Sequence, residues 1–315
     1  MSRTNVKGKW EQPVLVELPP APRPELSSFD RIIINSSGGK DSQACLDVVV
    51  QAARAAGALD RVVVLHCDMG RMEWPGTLHL ARRQAAAYDL PFFVRKRVGL
   101  ELLEYIRSRV QKRWPDARNR FCTSDFKRGV GAKFITEQVA GLDLGRRPRV
   151  LYVMGMRGAE SCARAAMTPF EVMARWTSRN REVWQWLPLH DWTTDQVWHR
   201  IRSAGTPVHP VYSYGLSRAS CSLCVLASIP DLMRACQLVP DLAAEYTQAE
   251  VEMDHDFRFR LPIAEVIARA AAEPVQLPAI SRCRPCRGAG ERPGEITACP
   301  ACHGTGGMAA YALAA

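Results

Sequence analysis

The pattern of apolar and polar positions switches repeatedly between two periods. Arg31-Ile32-Ile33-Ile34 is a short β-branched run of the kind that forms a strand buried on both faces. Val62–Leu65, Pro91–Val94 and Val150–Met154 repeat the pattern, and Trp186–Leu189 reads as the last strand. Between these runs the period lengthens. Ser42–Ala56 is helical and stops at Gly57, and Pro75–Tyr88 carries a proline at its start, where helices tolerate one. Leu100–Arg113 places Leu102, Leu103, Ile106 and Val110 at helical spacing. Thr193–Ser203 follows a capping threonine, Thr193 or Thr194, and Pro240–Met253 is a further helix. Ile229-Pro230-Asp231 reads as a turn. Strands alternating with helices predict an α/β fold built on a doubly wound parallel sheet. Ligands of such folds sit at the carboxyl ends of the strands.

Composition narrows the reading. The chain has 315 residues, 47% hydrophobic and 23% charged, which suits a globular protein and excludes collagen, a pure coiled coil or bulk disorder. Its apolar runs are too short to span a bilayer, and the first residues lack the apolar core of a secretory signal. The expectation is a cytoplasmic protein with no membrane partner. Lys and Arg exceed Asp and Glu by 42 − 32 = 10, a balance that attracts polyanions unless it reflects arginine-rich codon usage alone. The eleven cysteines are read as metal ligands, redox groups or buried thiols rather than as disulfides. Four regions are expected: an extended, proline-rich segment over 1–28, a nucleotide-binding domain over 29–238, a helical extension with a linker at Pro274–Pro278 over 239–278, and a metal module over 279–308.

Three loops after strands carry the candidate chemistry. Ser36-Ser37-Gly38-Gly39-Lys40-Asp41-Ser42 joins the first strand to a helix. Two glycines let the backbone approach a phosphate, the helix start offers free N–H groups, and Lys40 adds charge. The string is neither a Walker A loop nor G-x-G-x-x-G. His66-Cys67-Asp68-Met69-Gly70, followed by Glu73, Pro75 and Thr77, ends the second strand with a carboxylate that suits a ribose or Mg²⁺. Gly155-Met156-Arg157-Gly158-Ala159-Glu160-Ser161-Cys162-Ala163-Arg164 follows Val150–Met154, and its arginines suit phosphate or sulfate oxygens.

In this order the loops resemble the pyrophosphate loop and accompanying motifs of the phosphoadenosine-phosphosulfate (PAPS) reductase-like family of N-type ATP pyrophosphatases. Trp186-Leu187-Pro188-Leu189-His190-Asp191-Trp192-Thr193 resembles a further stretch of those proteins, and the likeness covers about residues 30–238. The resemblance implies an adenine nucleotide alpha hydrolase-like fold. It implies that Ser36, Ser37, Gly38, Gly39, Lys40, Asp41, Ser42, His66, Asp68, Gly70, Gly155, Arg157 and Arg164 bind the nucleotide. Lys40, Asp41, Asp68, Arg157 and Glu160 would be the catalytic residues, with ATP (or PAPS or adenosine phosphosulfate, APS) and Mg²⁺ as cofactors.

Two groups of cysteines remain. Cys122 precedes a helix, and Cys221 and Cys224 form a C-x-x-C pair, a spacing that lets both thiolates reach one metal or cluster. APS reductases place a [4Fe–4S] cluster on similar cysteines, although here the residue before Cys122 is Phe121. Cys236 is the candidate fourth ligand, with Cys162 another; zinc or free thiols are the alternatives to a cluster. At the end of the chain, Cys283, Cys286, Cys299 and Cys302 lie in two C-x-x-C-x-G-x-G knuckles. These resemble half of the zinc domain of J-domain chaperones and predict a four-thiolate Zn²⁺ site, with a redox pair as the alternative. No E-C-G-[LI]-H segment, which carries the nucleophilic cysteine of assimilatory reductases, occurs in the chain.

The expected function is therefore an adenylylating ATP pyrophosphatase in sulfur transfer; nucleic acid modification, such as DNA phosphorothioation or base thiolation, is a candidate setting, and a cysteine desulfurase or thioredoxin-like protein a candidate sulfur donor. The alternatives are a PAPS or APS reductase with an external thiol donor, and a non-catalytic nucleotide-sensing or nucleic-acid-binding adaptor.

Overall fold

The computed structural model describes residues 23–273, 282–292 and 297–307. The proline-rich start as far as residue 22 and the linker at Pro274–Pro278 lie outside the described residues. Six strands form one sheet: β1 (Arg31–Asn35), β2 (Val62–Cys67), β3 (Phe92–Arg95), β4 (Arg149–Val153), β5 (Phe170–Val172) and β6 (Glu182–Trp186). Their order is β3-β2-β1-β4-β6-β5, and every pairing is parallel except that of the short edge strand β5 with β6.

Strand periodicity assigns the two faces. Ile32, Ile34, Val62, Val64, Leu151 and Val153 enter one apolar cluster with Cys45, Leu46, Val49 and Val50 of helix α1 (Lys40–Ala55) and with Val197 and Ile201 of α7 (Thr194–Ala204). Ile33, Val63, Leu65, Val150 and Tyr152 point the other way, onto Phe134 and Ile135 of α5 (Gly129–Ala140). Both faces are covered, which explains why the central strands read as unbroken apolar runs. Between β2 and β3 lies α2 (Thr77–Ala86), and α3 (Leu102–Ser108) follows β3.

A third apolar cluster lies beside the sheet. It joins α3 to α8 (Ile229–Leu238), α9 (Pro240–Met253) and α10 (Ile263–Ala272), around Trp114, Tyr246 and Phe257. Trp114 stacks on Tyr246 at 4.7 Å and meets Phe257 edge-on at 5.3 Å. The remaining short elements, α4 (Phe121–Thr123) and α6 (Cys162–Ala165), carry site residues. No helix among the described residues is long and apolar enough to cross a membrane.

Several sequence expectations change. The last strand of the parallel set is Glu182–Trp186, not Trp186–Leu189. Its buried Gln185 obscures the apolar pattern, and the structure satisfies that amide with the Thr168 carbonyl and the Glu171 carboxylate. Ile229-Pro230-Asp231 is not a turn but the first turn of α8. Ser228 caps it through the Asp231 N–H, and Pro230 sits where no N–H is needed. The helix predicted over Leu100–Arg113 stops at Ser108. Thr193 is the cap of α7, with Gln196 closing a reciprocal capping box.

Candidate active site

Strand order reverses between β1 and β4, and the loops after these two strands face each other across the crevice. After β1, Gly38 takes φ +72° and lies against Thr77, the first residue of α2. Ser37 and Ser42 hydrogen-bond each other at 3.2 Å, and the Ser42 hydroxyl donates to the Gly39 carbonyl at 2.9 Å. The loop is thus folded back on the first turn of α1. After β4, a Cβ on Gly155 would stand 2.5 Å from the Asp41 carbonyl oxygen, so glycine is required for β4 to approach α1 this closely.

Asp41 ties the two loops together. Its Oδ1 accepts from Arg157 Nε at 2.7 Å and its Oδ2 lies 3.3 Å from Lys40 Nζ. Arg157 is buried, and its guanidinium also donates to the Trp192 carbonyl at 3.2 Å and to Thr194 Oγ1 at 3.3 Å. Lys40, also buried, donates to the Ser217 carbonyl at 3.1 Å. The Lys40 N–H donates to the Tyr212 hydroxyl at 2.8 Å. Tyr212, Ser217 and Thr194 are partners that sequence reasoning missed, since no local signal marks them.

A concentration of positive charge follows. Glu160 accepts from the Arg157 N–H at 3.2 Å, pairs with Arg164 and lies 3.5 Å from Arg218. Burial pushes the Arg164 guanidinium down to about 10, and the charges of Arg218, Arg120 and Arg157 add to the effect against Asp41. Among the described residues Glu160 serves the side chains of Arg164 and Arg218, while that of Arg157 pairs with Asp41. Arg157, Arg164 and Arg218 thus bring guanidinium groups to one end of the crevice, an arrangement whose forks match the oxygens of an anion. Arg218 and Arg120 lie in the sequence segments just before Cys221 and Cys122.

At the end of β2, His66 is fully buried. One ring nitrogen lies 2.9 Å from the Ser36 carbonyl and the other 3.1 Å from Glu73. Burial lowers its pKa, but the Glu73 carboxylate outweighs that and holds it above the usual imidazole range. His66 therefore supports the loop from behind rather than facing a ligand. Asp68 Oδ1 accepts the Gly70 N–H at 2.7 Å, and Gly70 takes φ +61°.

Cys122, Cys221 and Cys224 gather beside this crevice. Each of Cys122 and Cys221 is raised first by burial, with Cys224 a neighbouring contributor, and Cys221 reaches about 12. Lys127, on a π-helical turn over Ser124–Arg128, lies among Cys221, Cys224, Cys67 and Glu73. Such turns are frequent at functional sites. Lys127 and Cys67 were not singled out from sequence. Cys122 and Cys221 pack against the apolar cluster that contains Cys236. Cys236 sits in α8 within that cluster, and burial alone raises its thiol, to about 12. Cys162 is exposed on α6. Three soft thiols beside a cationic side chain fit a negatively charged thiolate-bound cluster.

The last four cysteines meet in space. Their sulfurs all lie within 4.8 Å of one another, the one such group among the described residues. Cys283 and Cys299 sulfurs are 3.9 Å apart, and Cys286 and Cys302 sulfurs 3.7 Å. Tetrahedral metal–sulfur bonds of about 2.3 Å require edges of about 3.8 Å, so the set fits one tetrahedral ion. The Gly290 and Gly306 N–H groups donate to Cys286 and Cys302 sulfur at 3.3 and 3.2 Å.

A glycine loop at the switch point of a doubly wound sheet, beside the buried Arg157 and the half-buried Arg164 and Arg218, defines an α/β domain with its crevice at the carboxyl ends of the strands. The sequence profile of the phosphoadenosine phosphosulfate reductase domain matches residues 31–227, and the chain belongs to that family. An uncharacterized protein of Methanocaldococcus jannaschii is 25% identical over 220 residues, 70% of this chain and 47% of that protein. An uncharacterized 37.8 kDa protein of Escherichia phage 186 is 26% identical over 138 residues, 44% of this chain and 39% of that one. The chain thus spans less than half the length of these curated relatives. Among solved structures, the PAPS reductase of Candida auris in its phosphate complex is 18% identical with a TM-score of 0.42, covering 66% of this chain and 90% of that one. The U34-tRNA thiolase NcsA of Methanococcus maripaludis with its [4Fe-4S] cluster is 11% identical with a TM-score of 0.42, covering 90% and 83%.

Proposed function

We propose that the chain is an adenylylating ATP pyrophosphatase acting in sulfur transfer, with a nucleic acid as acceptor. The observation that carries the reading is the arginine-rich crevice around Glu160, joined through Arg157 and Asp41 to the glycine loop. An acceptor oxygen attacks the α-phosphorus of ATP, the bond from that phosphorus to the bridging oxygen breaks, and pyrophosphate leaves. The loop N–H groups and Lys40 take the charge growing on the leaving group, while Arg157 and Arg164 hold the phosphate oxygens in line. Asp41 keeps Lys40 and Arg157 aimed at one point. Asp68 would hold Mg²⁺, which neutralises pyrophosphate charge. A sulfur nucleophile then displaces AMP from the acceptor carbon or phosphorus.

Cys122, Cys221 and Cys224 would hold a [4Fe–4S] cluster, whose remaining iron would supply a binding position for sulfur beside the crevice. Cys283, Cys286, Cys299 and Cys302 would hold a structural Zn²⁺ as a separate C-terminal module. A sulfur-donor protein and a cytoplasmic setting belong to the same reading. Anaerobic enzyme given ATP, Mg²⁺ and oligonucleotide should release pyrophosphate and form AMP. The family match favours a second reading, reduction of PAPS or APS. Sulfite release that depends on an added thiol protein, with no pyrophosphate from ATP, would establish that reading instead.

A further inference from the structure

A cleft of about 590 Å³ lies between the end of β2 and the four-cysteine module. Asp68, Gly70 and Trp74 line one wall, and Arg282, Arg284 and Arg287 the other. The module is fastened in place. Arg282 donates to the Arg71 and Glu73 carbonyls at 2.5 and 2.6 Å, and Arg82 forms a bidentate pair with Glu291 at 2.5 and 3.1 Å. The Gly76 N–H donates to the Gly288 carbonyl at 2.7 Å. Gly76 precedes Thr77, which packs on Gly38 of the glycine loop. Arg287 therefore stands next to a residue that touches the start of α2, one residue from the contact with the loop.

The charges on the two walls are unequal. On the core side, Glu73 is taken up by His66 and Glu101 by Arg71. On the module side, Arg284 and Arg287 are exposed, and no ion pair engages either of them among the described residues. The indole N–H of Trp74, a residue only 2% exposed, has no hydrogen-bond partner among the described residues. The cleft thus offers two guanidinium groups free of ion pairs among the described residues, and Asp68 is part of its lining.

We propose that this cleft holds the acceptor, a single nucleic-acid strand whose phosphates lie on Arg284 and Arg287 while the reacting nucleotide reaches the Asp68 end. This rests on the adenylylation reading for the identity of the site at Asp68. Its volume falls in the range of about 300–1,000 Å³ that encloses a small molecule, enough for a nucleotide of an extended strand and too little for a duplex. The four-cysteine module then serves as a metal-ordered wall of the active site.

The test is fluorescence anisotropy of labelled single-stranded 12-mers, oligo-dT and oligo-U, on the full chain. Each phosphate contact to a single strand contributes about 0.7 to the slope of log affinity on log salt. Removing two contacts in Arg284→Ala/Arg287→Ala should lower that slope by about 1.4 and weaken binding about 25-fold at 0.1 M salt. Arg175→Ala/Arg179→Ala removes the same charge from the opposite edge of the sheet and should change affinity no more than a few-fold. Metal content and melting temperature of the cleft variant check that the module is intact. Equal weakening in both variants, or none in the cleft variant, overturns the proposal. Tighter binding of a hairpin duplex, or displacement of the strand by micromolar inorganic phosphate or nucleoside monophosphate, also overturns it. ATP binding by the unaltered chain is measured in parallel: strand binding at the cleft without ATP binding refutes the ATP reading alone.

Discussion

Gly155→Ala tests how the two loops of the crevice are built. The added Cβ would stand 2.5 Å from the Asp41 carbonyl oxygen, 2.8 Å from its carbonyl carbon and 3.1 Å from Cys45 Cβ. Two of these atoms are backbone of α1, which is packed against β1 and α7 through fully buried residues, so neither side yields cheaply. Overpacking costs about 1–3 kcal/mol, and a backbone clash this close belongs at the upper end. At about 2–4 °C per kcal/mol for a domain of this size, the melting temperature should fall by about 6–12 °C. The shift also moves Asp41 relative to Arg157, two residues beyond the substitution, so ATP affinity should fall at least tenfold. Gly141→Ala is the control, because a Cβ there meets nothing within 4 Å and its φ is negative. Differential scanning calorimetry and equilibrium ATP binding on both variants give the answer. A Gly155→Ala protein that melts within a degree of the parent and binds ATP equally well would refute the packing of the crevice.

Further outcomes follow from other contacts. Arg157→Ala leaves Asp41 with Lys40 as its one charged partner among the described residues and should destabilise the fold by about 2 kcal/mol, read from denaturant unfolding, besides weakening nucleotide binding. Asp30 accepts from Arg146 at 2.7 and 2.8 Å and from the Arg149 N–H at 2.8 Å, and these bonds, Arg146 first, hold its carboxyl below the usual range despite partial burial. A depressed pKa gives stability that is present above about pH 4 and is lost as the pH falls through the folded value. Asp30→Asn should therefore cost about 1 kcal/mol at pH 7, reduced by the exposure of Arg146, and the deficit should close in melts taken below pH 4. Anaerobic full-length protein should be brown and carry one zinc per chain. Cys224→Ser should remove the colour, Cys299→Ser the zinc, and Cys236→Ser neither, as followed by absorbance and metal analysis.

The central sheet was legible because β1, β2 and β4 are buried on both faces and therefore apolar without interruption. The glycine loop was legible because its chemistry is contiguous. What stayed hidden depends on contacts distant in sequence. β5 has three residues and leaves no period to detect. Tyr212 reaches the Lys40 N–H from 172 positions away. Cys67 joins Lys127 through its sulfur and the Lys127 carbonyl at 3.8 Å, sixty positions apart. A turn was expected at Pro230, but Ser228 caps a helix there, and that helix carries Cys236 in the apolar cluster against which Cys122 and Cys221 pack. The knuckle spacing marked the metal site, yet nothing in the spacing places the module against α2. That contact depends on Gly290, Gly304 and Gly306, at each of which a Cβ would collide with backbone or with His79.

In the proposed function the glycine loop binds ATP through Lys40 and the helix start behind it. The direct measurement is equilibrium binding of ATP with Mg²⁺ to anaerobic full-length protein and to its Lys40→Ala variant, with melting curves showing both folded. The parent chain should bind one ATP saturably, and the variant should bind it at least tenfold more weakly. No binding by the parent chain, or equal affinity in the variant, would contradict it.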